Sequence, residues 1–249
     1  MTTTKRFCRM WNVGCGMLIV LLFTSNFPQS ATAETYILPA RLDLGFAVPT
    51  VSMPKSDYTN CVFWMDASAP VSDAGTTNFV VPDLSPARND ATQPATNSQP
   101  PVVDGAFVFD GSDGSGILFD SITLDFSKPW KMSCTVYSDN WIFGNKTRAF
   151  WTGTSGAGRI YIGSGDYLKL NAADYTTYAI SSALPRDTWV DVTLDYDGTN
   201  TLVVAVNGTE TSTTIPNTAT MTLNSWGGQK RGSSVQEFYG KLRDAKIIQ

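Results

Sequence analysis

Histidine is absent from this 249-residue chain, and glutamate occurs only at positions 34, 210 and 237. Without an imidazole no Ser-His-Asp or Cys-His nucleophile can be built, and the usual zinc and copper ligand sets go with it. Retaining glycoside hydrolysis needs two carboxyls about 5–5.5 Å apart. No Glu here lies within a few positions of another, so that route has no glutamate pair to use. Charged residues make up only 16% of the chain, against about 25% in an average soluble domain. No run of Lys and Arg is present, which excludes nucleic acid as a partner. Long apolar runs are lacking too. The longest, 13–23, has eleven residues, short of the roughly 20 that span a bilayer.

What the first 33 residues do contain reads as an export signal, with a retained membrane anchor as the alternative. Lys5, Arg6 and Arg9 precede the apolar run, and Ala31-Thr32-Ala33 supplies a small-residue cleavage site before Glu34. Three of the 18 basic residues and none of the 22 acidic ones lie in this leader, so the mature net charge is −7. The expected address is secreted, outside the cell or at its surface. Of four cysteines, Cys61 and Cys134 remain after cleavage. An oxidising compartment permits them to pair, and their separation is no metal motif.

Residues 34–57, with prolines at 39, 49 and 54, read as an extended lead-in. From about residue 58 to 249 short alternating runs follow one another between turn residues, with no convincing 3.6-residue period. WVDVTLDYDG (189–198) is the clearest: Val190, Val192, Leu194 and Tyr196 alternate with Asp191, Thr193, Asp195 and Asp197. Such a strand buries one face and wets the other. Asp197-Gly198 and Asn207-Gly208 are hairpin turns. Residues 85–104 form a long polar loop, and GILFD (116–120) and SITLDF (121–126) read as two strands. The pattern predicts an all-β sandwich or barrel.

Several patches resemble one family. WVDVTLDYDG…TLVVAVNG and the closing SWGGQKRGSSVQEFYGKLRDAKII are similar to laminin-G-like and concanavalin A-like domains. CVFWMDAS, PDLSPARNDATQ and FVFDGSDGSG are similar to the opening of bacterial members, so the likeness covers roughly 61–248. It implies a two-sheet antiparallel β-sandwich, a jelly roll of a dozen or more strands. The scaffold serves lectins, adhesion modules, hydrolases and lyases alike, so it implies much less about activity.

Aromatic residues are 12% of the chain, and Trp141, Phe150, Trp151, Tyr161, Tyr167, Tyr175 and Tyr178 crowd its middle. Sugar rings pack their C–H faces on aromatic rings, and nearby Asn and Asp take the hydroxyls. Phe150 and Trp151 are adjacent, so regular alternation sends one of them outside the core. The expected ligand-binding residues are Trp151, Trp141, Tyr161 and Tyr167. Trp189 and Trp226 sit in the family-like patches and read as structural. Asp191, Asp195 and Asp197 read as a solvated strand face rather than an acid–base set. Asp110-Gly111-Ser112-Asp113-Gly114 fails the EF-hand spacing and reads as a turn, with calcium as the alternative. Asn145 and Asn207 fit the glycosylation sequon. No catalytic residue, metal ligand or obligate cofactor is expected. The sequence therefore points to a secreted, non-catalytic, lectin-like module whose partner is a carbohydrate or glycoconjugate. The alternatives are a structural or adhesive protein that contacts other extracellular proteins and, more remotely, a polysaccharide-degrading enzyme.

Overall fold

The computed structural model describes residues 35–37, 52–69, 71–111, 114–138, 148–155, 157–172, 177–231 and 234–249. Residues 34–249 form one unit, and residues 1–33, expected to be an export signal, lie outside the described residues.

A two-stranded ribbon of β1 (Thr35–Ile37) and β2 (Ser52–Pro54) leads into a short helix, α1 (Lys55–Asn60). The lead-in expected to be extended through residue 57 thus ends in helix. Six residues are too few to leave a helical period in a sequence. Tertiary packing holds them: Tyr58 meets the edge of Trp64, ring centroids 6.5 Å apart.

The sandwich begins with β3 (Cys61–Asp66), β4 (Val80–Val81), β5 (Ala91–Thr92), β6 (Val102–Val103) and β7 (Ala106–Asp110). It continues with β8 (Ile117–Asp125), β9 (Pro129–Tyr137), β10 (Arg148–Ser155), β11 (Ala157–Ile162), β12 (Tyr167–Asn171) and β13 (Thr177–Ala183). Then come β14 (Trp189–Asp197), β15 (Thr201–Val206), β16 (Thr209–Thr214) and β17 (Thr220–Trp226). A small hairpin, β18 (Gly228–Arg231) with β19 (Ser234–Glu237), precedes the closing strand β20 (Tyr239–Ile248). The first sheet has the order β13-β12-β11-β10-β17-β8-β5-β4. The second has the order β16-β15-β14-β9-β20-β7-β6, with β3 also paired to β20. The expected fold class, a two-sheet antiparallel sandwich, is the observed one.

The core lies between the sheets because alternation turns every second side chain inward. On β14, Val190, Val192, Leu194 and Tyr196 are buried, whereas Asp191, Asp195 and Asp197 are exposed. Rings from both sheets interlock. Phe63 of β3 lies 4.3 Å from Phe119 and 5.6 Å from Trp151 of the facing sheet, and Phe107 lies 5.7 Å from Trp226. Burying one such ring is worth about 3–5 kcal/mol against truncation to alanine.

One strand expectation is corrected, and one strand had no counterpart in the sequence reading. GILFD and SITLDF are one strand, β8, in which Asp120 and Ser121 are both exposed. A register shift against β17, between Leu223 and Ser225, absorbs this change of phase within continuous pairing. The polar segment TETSTT forms β16, the edge of the second sheet. It carries no apolar alternation. Its register comes instead from the turn at Asn207 and Gly208, both at positive φ, which folds it back on β15. Asn207 is therefore a turn residue, and Asn145 lies outside the described residues.

The polar loop after β4 is organised by a buried carboxylate, Asp83. Its Oδ1 accepts from the Trp64 and Ser85 N–H groups at 2.8 and 2.9 Å. Its Oδ2 accepts from Ser85 Oγ and the Asn89 N–H, both at 2.8 Å. Four donors satisfy the buried charge, and this is the physical content of the Asp-Leu-Ser…Asn-Asp patch.

Cys61 and Cys134 are both free and buried. β20 separates their strands, pairing Ile248 with Cys61 on one side and Ala245 with Cys134 on the other. Strands two apart are about 10 Å from each other, beyond the roughly 7 Å that a disulfide bridges. Burial pushes the Cys61 thiol up to about 11 and the Cys134 thiol up to about 12.

Candidate functional site

The outward face of the second sheet carries an aromatic row. Trp189 of β14 stands directly opposite Tyr137 of β9, and Tyr137 stands opposite Lys241 of β20. Opposed residues share a face, and so do residues two apart on a strand. Trp189 therefore shares its side with the exposed Asp191, and Tyr239 shares its side with Lys241. All three rings are partly exposed. The Trp189 and Tyr137 centroids are 5.6 Å apart, tilted by 53°.

Two cations lie against these rings. Lys241 Nζ is 5.6 Å from the centre of the Tyr137 ring, and Arg243 Cζ is 4.4 Å from that of Trp189. Arg243 sits where β20 slips against β9, between Leu242 and Asp244. A bulge re-aims a side chain out of the regular row, and here it sends the guanidinium across β9. Gly240 makes the close approach of β20 to β9 feasible. Its φ is +145°, and a Cβ there would collide with the Tyr137 carbonyl.

Polar groups fill the next row. Thr135 Oγ1 donates to Asp191 Oδ1 at 2.7 Å, and the Asp191 N–H donates to Asn207 Oδ1 at 2.8 Å. Asp244 stands opposite Thr135 and also opposite Asp66. Its Oδ2 accepts from Lys246 Nζ at 2.8 Å. Burial raises the Asp244 pKa, the ion pair with Lys246 opposes that, and Asp66 adds to it. Farther along, Lys131 and Asp195 form an exposed pair at 3.8 Å. Asp197 accepts from Thr199, Thr201 and Asn200, which hold its carboxyl far below the usual range. The three aspartates of β14 thus line a wet strand face, each with a partner already.

The arrangement offers two partly exposed, mutually tilted rings with cationic donors against them and an acceptor beside them. That suits a ligand with C–H faces and hydroxyl edges. Among the described residues, no three His, Cys, Asp or Glu side chains could hold a metal ion. Of the calcium alternative, Asp110 ends β7, and Ser112 and Asp113 lie outside the described residues.

The residues expected to bind ligand do not come together. Trp151 is in the core, 1% exposed, which corrects its assignment to the surface. Along β10, Ala149 faces Tyr161 and Trp151 faces Ile160, so Phe150 is an extra residue. That bulge cancels the alternation, and both Phe150 and Trp151 point inward. Trp141 lies outside the described residues. Tyr161 is on the outer face of the first sheet but only 8% exposed, with Arg159 Cζ 4.5 Å over its ring. Tyr167 shares that face and is 44% exposed. Trp226 is core, as expected, but Trp189 is an outward residue. The signal for it was present, since Trp189 has the phase of Asp191 and Asp195. Tyr137 sits on β9 and Tyr239, Lys241 and Arg243 on β20, and only pairing unites them with Trp189.

No protein-family model matches the chain, and no curated protein matches its sequence. Solved structures do resemble it in fold. The binding domain of Paraclostridial Mosquitocidal Protein 1 has a TM-score of 0.53 at 14% identity, over 77% of this chain and 49% of that one. Trypanosoma rangeli sialidase in complex with sialic acid has a TM-score of 0.52 at 17% identity, over 86% and 33%. The binding domain of Botulinum Neurotoxin DC in complex with SialylT has a TM-score of 0.52 at 12% identity, over 77% and 48%. The chain therefore spans about half of each toxin binding domain and a third of the sialidase. Its likeness to them is one of β-sandwich architecture.

Proposed function

We propose that this protein is an exported, non-catalytic carbohydrate-binding module that holds a saccharide against the Trp189–Tyr137–Tyr239 face. One observation carries the reading: Trp189 and Tyr137 stand side by side and partly exposed on a sheet face, with Asp191, Lys241 and Arg243 around them. Buried rings serve a core, whereas rings held open beside polar groups serve a ligand. One of the toxin binding domains of similar fold is in complex with SialylT, which supports a glycan as the partner. The lack of histidine and the scattered glutamates favour binding over turnover. Export rests on the leader. A second reading, adhesion to another protein, draws on Val102 and Val103, 40% and 46% exposed on the edge strand β6.

A glycan array and affinity electrophoresis in soluble polysaccharides test the proposal. The expected result is retention by at least one saccharide, lost in Trp189→Ala while the far-ultraviolet circular dichroism is unchanged. Retention that survives Trp189→Ala, or no retention on any saccharide, overturns it.

A further inference from the structure

We propose that the aromatic face selects acidic saccharides, ligands whose ring bears a carboxylate. The inference rests on the carbohydrate-binding reading above and names the class of sugar for that site.

The argument starts from how the cations of this sheet are used. Lys246 is paired with Asp244 at 2.8 Å, and Lys131 is paired with Asp195 at 3.8 Å. On the first sheet's side, Arg186 is bound by both oxygens of Asp166. Lys241 and Arg243 differ. Among the described residues, neither side chain has a carboxylate within ion-pair distance or an acceptor for its N–H groups; each lies against a ring instead. This occurs in a chain whose formal net charge is −4, where carboxylates outnumber cations and a partner would be easy to supply.

Backbone geometry places both cations where a bound sugar would lie. Lys241 is opposite Tyr137 by register, and the bulge at Arg243 carries its guanidinium over Trp189. A sugar held against the exposed parts of Trp189 and Tyr137 therefore meets cationic donors that already lie over the rings. A guanidinium presents planar N–H donors that match a carboxylate, and an ammonium adds a point charge. Asp191 is on the same face, its Oδ1 taken by Thr135. It meets hydroxyls and repels acid, so it orients the carboxylate toward Lys241 and Arg243.

Matched probes separate charge from shape: polygalacturonate against its fully methyl-esterified form, and 3′-sialyllactose against its methyl ester. The acidic member of a pair should bind about tenfold more tightly at low salt, as one or two charge-assisted contacts imply. The preference should shrink as salt rises. Lys241→Gln with Arg243→Gln should erase the preference, the acidic member losing about tenfold more affinity than the neutral one; Trp189→Ala should remove binding of both. Equal binding of both members, or a preference that survives Lys241→Gln with Arg243→Gln, overturns the inference and leaves the carbohydrate reading standing. Failure of the wild-type protein to bind either member of both pairs overturns the inference, and binding that survives Trp189→Ala overturns both.

Discussion

The guanidinium carbon of Arg243 lies 4.4 Å from the centre of the Trp189 ring, although β9 runs between their strands. The contact exists because the slip of β20 against β9 leaves Arg243 out of the regular row. It locks the orientation of a partly exposed ring, and it keeps a cation at the surface without a carboxylate beside it among the described residues. Exposed cation–π contacts are worth about 0.5–1 kcal/mol.

A double-mutant cycle with Trp189→Ala and Arg243→Ala should therefore give a coupling of about 0.5–1 kcal/mol in urea unfolding. Additive single variants would show that the two side chains do not support one another.

Trp151 and Tyr167 should part company by a wide margin. Trp151→Ala removes a ring that touches Phe63, Phe119 and Trp226, and should cost about 3–5 kcal/mol. Tyr167→Ala, at an exposed position, should stay within about 0.5 kcal/mol. Chemical denaturation of the two variants measures this. A mild Trp151→Ala would contradict the bulge that turns Phe150 and Trp151 inward together.

Asp244 should make the protein respond to mild acid. Its pKa is raised in the fold, chiefly by burial, above the unfolded value near 3.8. The folded state therefore holds the proton more tightly than the unfolded chain does. The resulting stability is fully present below the unfolded pKa and is lost as pH rises through the folded one. Between about pH 4 and 7 the wild type should gain melting temperature relative to Asp244→Asn as pH falls. A gap that stays constant across that range would refute the linkage.

The two thiols should be inert in the folded protein. Burial holds Cys61 at about 11 and Cys134 at about 12, so at pH 8 almost no thiolate is present to attack a reagent. Alkylation mapped by mass spectrometry should find both unmodified in buffer and both modified in denaturant. A Cys61–Cys134 disulfide recovered from the native protein would contradict their separation by β20.

Much of the fold was legible because two-sheet burial imprints a period of two. Val190, Val192, Leu194 and Tyr196 declare the inner side of β14 without any partner. β16 was not legible, because an exposed edge of Thr, Ser and Glu has no burial to record. The position of Trp151 was not legible either. One bulge residue, Phe150, reverses a phase that adjacent letters seem to fix, and the bulge is a property of β10 against β11. The candidate site was legible only in part: Trp189 could be read outward from its phase with Asp191, but Tyr137, Tyr239, Lys241 and Arg243 could not be joined to it.

Composition and local pattern by themselves determined that this chain is all-β, has no imidazole chemistry and alternates apolar with polar residues on strands such as β14. These follow from residue types and a two-residue period, which each segment carries alone. Strand pairing decided the rest: which rings stay open, which cations lack carboxylates among the described residues, and why Cys61 and Cys134 never meet. Those depend on register between segments as far apart as β9 and β20, and a one-residue slip there sends a side chain to the other face.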